Sequence, residues 1–183
     1  MSQTLELRSP KSEDGISVFQ LVAQCPPLDP NSVYCNLLQC THFADTSVAA
    51  LNQGQLIGFV SAYLLPDRTD TLFIWQVAVS ENARGQGLAT QMLRHALNRP
   101  NNAHVCYVET TITPSNQASW ALFERLAEKF NAELCSSALF DKEKHFDGRH
   151  DSEMLVKIGP LKRNRDGLVI THDLATVEPL RRH

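Results

Sequence analysis

The 183-residue sequence lacks any apolar run of the roughly 18 residues that a membrane-spanning helix needs. Its first residues, MSQTLELRSPKSEDG, also lack the basic and apolar regions of a signal peptide. Positive charge is not in excess, because 17 Lys and Arg stand against 20 Asp and Glu, for a net charge of -3. We therefore expect no membrane association and no nucleic-acid partner, since nucleic acid binds to basic faces.

Cysteine is scarce and irregularly spaced, with five residues: Cys25, Cys35, Cys40, Cys106 and Cys135. An odd number without a framework pattern indicates free thiols in a reducing, cytoplasmic environment. Cys35, Cys40 and His42 lie close together, but no second pair of ligands follows them, so no metal site is predicted. The chain also lacks internal repeats, and its length fits one domain with its own core.

The most informative stretch is TLFIWQVAVSENARGQGLATQMLRHAL, residues 71–97. Residues 71–79 are almost wholly apolar and predict a strand covered on both faces. Two glycines, Gly85 and Gly87, then lead into residues 88–97, whose apolar spacing of three and four is typical of a helix. Backbone N–H groups at such a helix start have no intrahelical partner and favour an anion such as pyrophosphate. A tight turn without a ligand is the alternative.

Motif comparison narrows the type of phosphate ligand. A Walker loop is excluded, because no Gly-Lys-Ser/Thr follows the glycines. A dinucleotide fingerprint is closer: residues 85–90 lack only its final Gly or Ala, and Glu109 lies at roughly the 20-residue spacing of its acidic residue. Against it stand the long loop before Gly85, the position of the motif in mid-chain, and the location of Glu109 inside a predicted strand, residues 104–111.

Arg84-x-x-Gly87-x-Ala89, after an apolar strand, resembles the acyl-CoA loop of the GCN5-related N-acetyltransferases (GNATs). The resemblance implies an α/β (α+β) GNAT fold, with a mixed central sheet flanked by helices in a single domain. It also implies acetyl-CoA as co-substrate, its pantetheine arm paired with the strand and its pyrophosphate held by the loop. The residues that it assigns to acetyl-CoA are Val77, Ala78, Val79, Arg84, Gly85, Gln86, Gly87, Leu88, Ala89, Thr90 and Asn116. For Asn116, which precedes a predicted helix, capping is the alternative.

Longer segments carry a more specific resemblance. PDRTDTLFIWQVAV, RGQGLATQMLRHAL, ETTITPSNQASWALFERLA and CTHFADT are similar to the L-2,4-diaminobutyrate acetyltransferases of ectoine synthesis, and the likeness covers most of residues 5–160. It implies a homodimer that acetylates the γ-amine of L-2,4-diaminobutyrate to N4-acetyl-L-2,4-diaminobutyrate. Another acceptor (lysine, a polyamine or a protein amino terminus) and a non-catalytic acyl-CoA-binding module remain open.

An amine acceptor arrives as an ammonium, and Glu109 is the first candidate to handle its proton, as base or as substrate anchor. A glutamate on the surface face of an alternating strand is the alternative. The diaminobutyrate resemblance implies a substrate contact for Glu109, and it implies others for Asp29, Tyr34, Trp75 and His150. A turn position for Asp29, a core position for Trp75 and a solvated loop for His150 are the alternatives.

The rest of the chain predicts helices over residues 12–24, 31–40 and 116–130, and strands over residues 5–8, 46–51, 56–65, 133–139 and 153–158. Residues 140–151 are charged and predicted to be a loop. We expect the acetyltransferase domain to span residues 1–160, before a C-terminal tail, 161–183, that is loose or packed on a partner subunit. No tyrosine follows the helix at 116–130, so a CoA thiolate, with a thiol pKa of about 8.5, is expected to leave without a dedicated acid.

Overall fold

The computed structural model describes residues 5–171, whose strands form one sheet. The strands are β1 (Leu5–Arg8), β2 (Val48–Asn52), β3 (Gln55–Leu65), β4 (Arg68–Val79), β5 (Tyr107–Ile112), β6 (Leu134–Phe140) and β7 (Glu153–Ile158). The helices are α1 (Gly15–Ala23), α2 (Val33–Thr41), α3 (Leu88–Leu97), α4 (Gln117–Lys129) and α5 (Lys142–Phe146). The sheet order is β1-β2-β3-β4-β5-β7-β6, with β4 and β5 parallel and the other pairs antiparallel. The predicted mixed sheet flanked by helices is confirmed.

Two apolar clusters hold helices to the sheet. The larger one joins the apolar stripes of α3 and α4 to inward residues of the central strands, and Met92, Leu126 and Phe130 are fully buried in it. The smaller one joins α1 and α2 to Phe59 on β3 and Ala78 on β4. Because alternate residues of β3 and β4 reach different clusters, the sheet lies between two helical layers there.

The parallel pair in the middle of the sheet separates partway along its length. Strand β4 pairs with β5 only from Thr71 to Ile74. On its other side, β4 has a bulge against β3. Ile74 and Gln76 pair with the consecutive β3 residues Ala62 and Ser61, so Trp75 between them has no partner on β3. A bulge bends its strand and increases the local twist. The second half of β4 therefore diverges from β5, and a cleft opens between them.

The prediction that residues 140–151 form a loop is wrong, since α5 lies within them. Asp141 caps this helix by accepting hydrogen bonds from the backbone N–H groups of Glu143 and Lys144. A helix of five residues is too short for its apolar period to be visible in the sequence. The helix predicted over residues 12–24 begins as a 3-10 turn, Ser12–Asp14, before α1.

The start of the predicted C-terminal tail packs against the domain. Leu161 and Val169 are buried in the larger cluster. The Arg163 guanidinium donates hydrogen bonds to the backbone carbonyls of Leu97, Asn102 and Val105. Residues 172–183, the remainder of that tail, lie outside the described residues.

In the part of the chain that the structure describes, no helix combines the length and apolarity needed to cross a membrane.

The first strand is tied to the following helix by a bidentate ion pair, which makes stability depend on pH. Arg8 donates to both carboxylate oxygens of Asp14, at 2.7 and 2.9 Å, and this lowers the pKa of Asp14 from its ordinary value of 3.8. A lowered pKa stabilises the fold above the unfolded-state value, and the contribution is lost as pH falls through the folded-state value.

We expect Asp14→Asn to lower the free energy of unfolding by about 1–2 kcal/mol at neutral pH, because charged hydrogen bonds are lost. The difference from the wild type should be constant down to about pH 5 and should shrink below about pH 4, as Asp14 becomes protonated first in the unfolded chain and then, at lower pH, in the folded protein. Urea unfolding at several pH values measures it. Asp67→Asn, in an exposed pair with Arg68, is the control and should change little. A difference that persists unchanged at pH 3 would contradict the prediction.

Candidate active site

A cleft of about 670 Å³ occupies the gap between β4 and β5. Helices α3 and α4 line one end of it, and Asp29 of the α1–α2 loop and Glu153 of β7 line the other. Twelve of the residues predicted for the site line this cleft: Asp29, Trp75, Val77, Val79, Arg84, Gly85, Gly87, Leu88, Ala89, Thr90, Asn116 and His150. One cavity thus joins the predicted anion site to most of the predicted acceptor residues.

The α3 end of the cleft has the properties of an anion site. Gly87 is the N-cap of α3 at φ 76°, and no side chain caps the helix there. Gly85 has φ 75°, and a Cβ at either glycine would have no neighbour within 4 Å. Both glycines adopt backbone angles that other residues reach only with strain. The N–H groups at the start of α3, with the helix dipole behind them, are therefore free to bind a phosphate group.

Arg84 supports this loop through its side chain. Its Nε donates to the carbonyl of Val79 at 3.0 Å, and one terminal nitrogen lies 3.6 Å from the Sγ of Cys25. Cys25 itself donates to the Val79 carbonyl at 3.4 Å. Two residues predicted to bind acetyl-CoA, Gln86 and Ala78, do not line the cleft. The Gln86 side chain donates to the Asn82 carbonyl, and Ala78 is buried. The guanidinium thus fastens the loop to the end of β4 and to the α1–α2 loop.

Asn116 caps α4, as the alternative predicted, and its contact with acetyl-CoA stays a prediction. Its Oδ1 accepts a hydrogen bond from the backbone N–H of Ser119 at 3.1 Å, so it caps α4, and it also lines the cleft. Capping leaves its side-chain NH₂ group available to another acceptor. The N-termini of α3 and α4 thus approach the cavity from the same side of the sheet.

Carboxylates gather around His150 at the other end of the cleft. The His150 Nε2 lies 3.7 Å from an oxygen of Asp29 and 3.9 Å from an oxygen of Glu153, the first residue of β7. Burial raises the pKa of Glu153, and a hydrogen bond with Thr111 partly offsets the rise. Trp75, projecting from the bulge, is 43% exposed and completes this end. Two acids and an aromatic ring in one cleft suit a cationic ligand.

Two of the predicted substrate-binding residues lie outside the cleft. Tyr34 is 70% exposed on α2. Glu109 is 2% exposed, and both of its oxygens accept hydrogen bonds from Arg68, at 2.7 and 3.0 Å. A second cation, Lys157, lies 3.7 Å from it. As the structure has it, Glu109 is an ion-paired residue of the sheet, and its role as proton acceptor stays a prediction.

Sequence reasoning missed Glu153, Thr111 and the polar residues that hold the α1–α2 loop, Asn31 and Gln76. Glu153 had a recognisable signal, because it is an acid at the first position of a clear strand, three residues after His150. Asn31 and Gln76 had none, since they are 45 residues apart and meet only in the fold. Within residues 5–171 no group of His, Cys, Asp and Glu is arranged to hold a metal ion.

Comparison with known proteins gives a consistent result. The family model described as "Acetyltransferase (GNAT) family" matches residues 16–127. An L-2,4-diaminobutyric acid acetyltransferase of Methylotuvimicrobium alcaliphilum is 57% identical, over 86% of this chain and 92% of that protein. The protein of the same name from Vibrio cholerae is 52% identical, over 82% of this chain and 87% of that protein.

Solved structures extend the likeness to three dimensions. The diaminobutyrate acetyltransferase of Paenibacillus lautus, in complex with L-2,4-diaminobutyric acid and coenzyme A, superposes with a TM-score of 0.82 at 38% identity, over 87% of this chain and 96% of that chain. The ribosomal-protein-S18-alanine N-acetyltransferase of Escherichia coli shares the fold alone, with a TM-score of 0.63 at 14% identity over 88% of this chain and 97% of that chain. The chain therefore belongs to the GNAT acetyltransferases and, within them, to the L-2,4-diaminobutyric acid acetyltransferase family.

Proposed function

We propose that this protein transfers the acetyl group of acetyl-CoA to the γ-amine of L-2,4-diaminobutyrate and forms N4-acetyl-L-2,4-diaminobutyrate. The observation that carries the proposal is the single cleft between an uncapped helix N-terminus and a group of carboxylates. The first end suits the pyrophosphate of CoA, and the second suits a diamine. Relatives that are about half identical over most of this chain carry the name of the enzyme for this reaction.

The residues of the α3 end fit acetyl-CoA. Beyond Ile74, β4 has no strand partner on the β5 side within the described residues, so backbone groups there can pair with an amide of the pantetheine arm. Residues 84–90 would hold the pyrophosphate through the N–H groups at the start of α3. Asn116 would contribute its free NH₂ group from α4.

The residues of the other end fit diaminobutyrate, which carries two amines and one carboxylate. Asp29 and Glu153 would pair with the ammonium groups, and His150 between them would face the substrate carboxylate. The ring of Trp75 offers a cation–π contact. Tyr34 and Glu109, outside the cleft lining, stay predicted substrate contacts.

Catalysis by these residues would consist of positioning, proton removal and charge stabilisation. Binding both substrates in one cleft makes the attack of the amine on the thioester carbonyl effectively unimolecular. Glu153 would take the proton of the ammonium, because it lies in the cleft and burial raises its pKa toward that of a useful base. A backbone N–H of β4 near Val77 would stabilise the oxyanion that develops. The C–S bond then breaks, and CoA leaves as a thiolate.

We further propose that the enzyme acts as a cytoplasmic homodimer in ectoine biosynthesis. The five unpaired thiols support a reducing compartment. Exposed apolar side chains on α2 and β6, namely Tyr34, Leu139 and Phe140, support a partner surface near the acceptor end of the cleft. The likeness to diaminobutyrate acetyltransferases supports the pathway.

Mixing the protein with acetyl-CoA and L-2,4-diaminobutyrate should release CoA thiol well above background, because both ends of the cleft are then occupied. Thiol release, followed by mass spectrometry of the acetylated product, measures the rate and the position of the acetyl group. Lysine, a polyamine and a peptide amino terminus are the competitors, and we expect kcat/KM to be at least 100-fold lower for each. If none of these amines causes CoA to be released, the protein is a non-catalytic acyl-CoA-binding module.

Gly87→Ala should raise the Kd for CoA at least tenfold. Alanine is strained at φ 76° by about 1–2 kcal/mol, and relief of that strain would move the N–H groups at the start of α3. Gly54→Ala is the matched control, because Gly54 has φ 78° and an equally open environment in the turn between β2 and β3. Isothermal titration with CoA measures both variants. Equal loss of affinity in the two variants would mean that general strain, and not the site, is responsible.

Glu153→Gln should lower kcat/KM for diaminobutyrate by about 100-fold or more, because a positioned base contributes 10²–10⁴. It should also remove the acidic limb of the pH–rate profile, since that limb reports deprotonation of Glu153 at its raised pKa. Glu109→Gln is compared in the same assay, with CoA affinity as a check of folding. Retention of the acidic limb in Glu153→Gln and its loss in Glu109→Gln would assign the proton to Glu109.

A further inference from the structure

A buried side-chain amide in the cleft lining is hydrogen-bonded to a distant loop through both its nitrogen and its oxygen. Gln76, on β4, is 7% exposed. Its Nε2 donates to the backbone carbonyl of Asp29 at 2.9 Å, and its Oε1 accepts from the Nδ2 of Asn31 at 2.8 Å. A buried amide is costly when half of it is unpaired, so this arrangement is stable only with the loop in place. We call these two hydrogen bonds the Gln76 bridge.

The chemistry of the partners fixes the orientation of the bridge. A backbone carbonyl can only accept, so the NH₂ group of Gln76 must face Asp29. The Oε1 of Gln76 must then face Asn31, which presents its own NH₂ group. Reversal of either amide would bring two acceptors or two donors together. The loop therefore has one docked position in which both bonds are made.

The bridge matters because the loop has no regular structure of its own. Residues 25–32 contain neither helix nor strand, and they connect α1 to α2. The loop is anchored at its start by the thiol of Cys25 on the carbonyl of Val79, and at its end by Ser32, which caps α2. Between these anchors, the side chain of Asp29 is 79% exposed. The position of the Asp29 carboxylate therefore depends on its backbone, which the bridge holds, together with the contact to His150 at 3.7 Å.

Gln76 lies on the part of β4 that both substrates would contact. Gln76 follows Trp75, at the acceptor end of the cleft, and precedes Val77, at the acyl end. We propose that Gln76 is a positioning residue that sets the distance between the acceptor amine and the thioester by docking the Asp29 loop on β4. This role rests on the proposed function. It predicts that Gln76 controls the use of the diamine and leaves acyl-CoA binding unaffected.

Gln76→Glu tests the role, because it keeps the size of the side chain and its bond to Asn31 but replaces the NH₂ that faces the Asp29 carbonyl by oxygen. We expect KM for diaminobutyrate to rise at least tenfold and the Kd for CoA to change by less than twofold. Gln55→Glu, the same change on an exposed residue of β3, is the control and should leave both values unchanged. An unchanged KM, or an equal loss of CoA affinity, would overturn the proposal.

Hydrogen exchange supplies a readout that does not depend on turnover. In Gln76→Glu, backbone exchange of residues 25–32 should accelerate at least tenfold, while exchange of residues 84–97 stays at the wild-type rate. Asn31→Ala, which removes the other bond, should accelerate the same segment. If the wild type does not acetylate diaminobutyrate, the proposed function fails, and exchange still tests the bridge. Unchanged exchange in both variants would show that the bridge does not hold the loop.

Discussion

The site depends on the separation of β4 from β5 after Ile74. A strand that leaves its neighbour exposes backbone groups that must find other partners. Side chains satisfy the two carbonyls at the margins of the gap: Thr110 donates to the carbonyl of Ile74, while Arg84 and Cys25 donate to that of Val79. The backbone between these margins is left for a ligand, and the pantetheine arm carries amides of matching chemistry. The gap is thus bounded by protein hydrogen bonds and open only where a substrate would bind.

The two ends of the cleft favour charges of opposite sign. The α3 end presents N–H groups and the positive end of a helix dipole, and no side chain occupies them. The far end presents the carboxylates of Asp29 and Glu153. A polyanionic acyl carrier and a cationic diamine are therefore each attracted to one end and repelled from the other, so they meet in the middle without competing. Glu153 is the more buried of these two acids, and a bound ammonium would offset the cost of burying its carboxylate.

The sequence predicts features that depend on neighbouring residues and misses those that depend on folded contacts. Residues 71–97 predicted strand, loop and helix correctly, because apolar period and glycine chemistry are local signals. The prediction that β4 is covered on both faces was wrong at Trp75, which is 43% exposed because the bulge places it at the cleft. The different surroundings of Glu109 and Glu153 could not be read from the sequence, because Arg68 and Lys157 reach Glu109 from β4 and β7, whereas Thr111 reaches Glu153 from β5. Arg84 lies at the cleft, as predicted, but the hydrogen bond from its guanidinium to the Val79 carbonyl was not predictable from the sequence.

Glu109 is buried in the paired stretch of the sheet, next to the point where the strands separate. It lies on β5 opposite Phe73 of β4 and Lys157 of β7, within the last paired stretch before the gap. Its bidentate pair with Arg68, together with the Lys157 ammonium, joins β4, β5 and β7 beside the point where the sheet opens. A buried carboxylate is stable only when such partners satisfy it, and removing it would leave Arg68 with the longer, exposed contact to Asp67 at 4.0 Å. Glu109 thus links three strands through its ion pairs, immediately before the point where β4 and β5 separate.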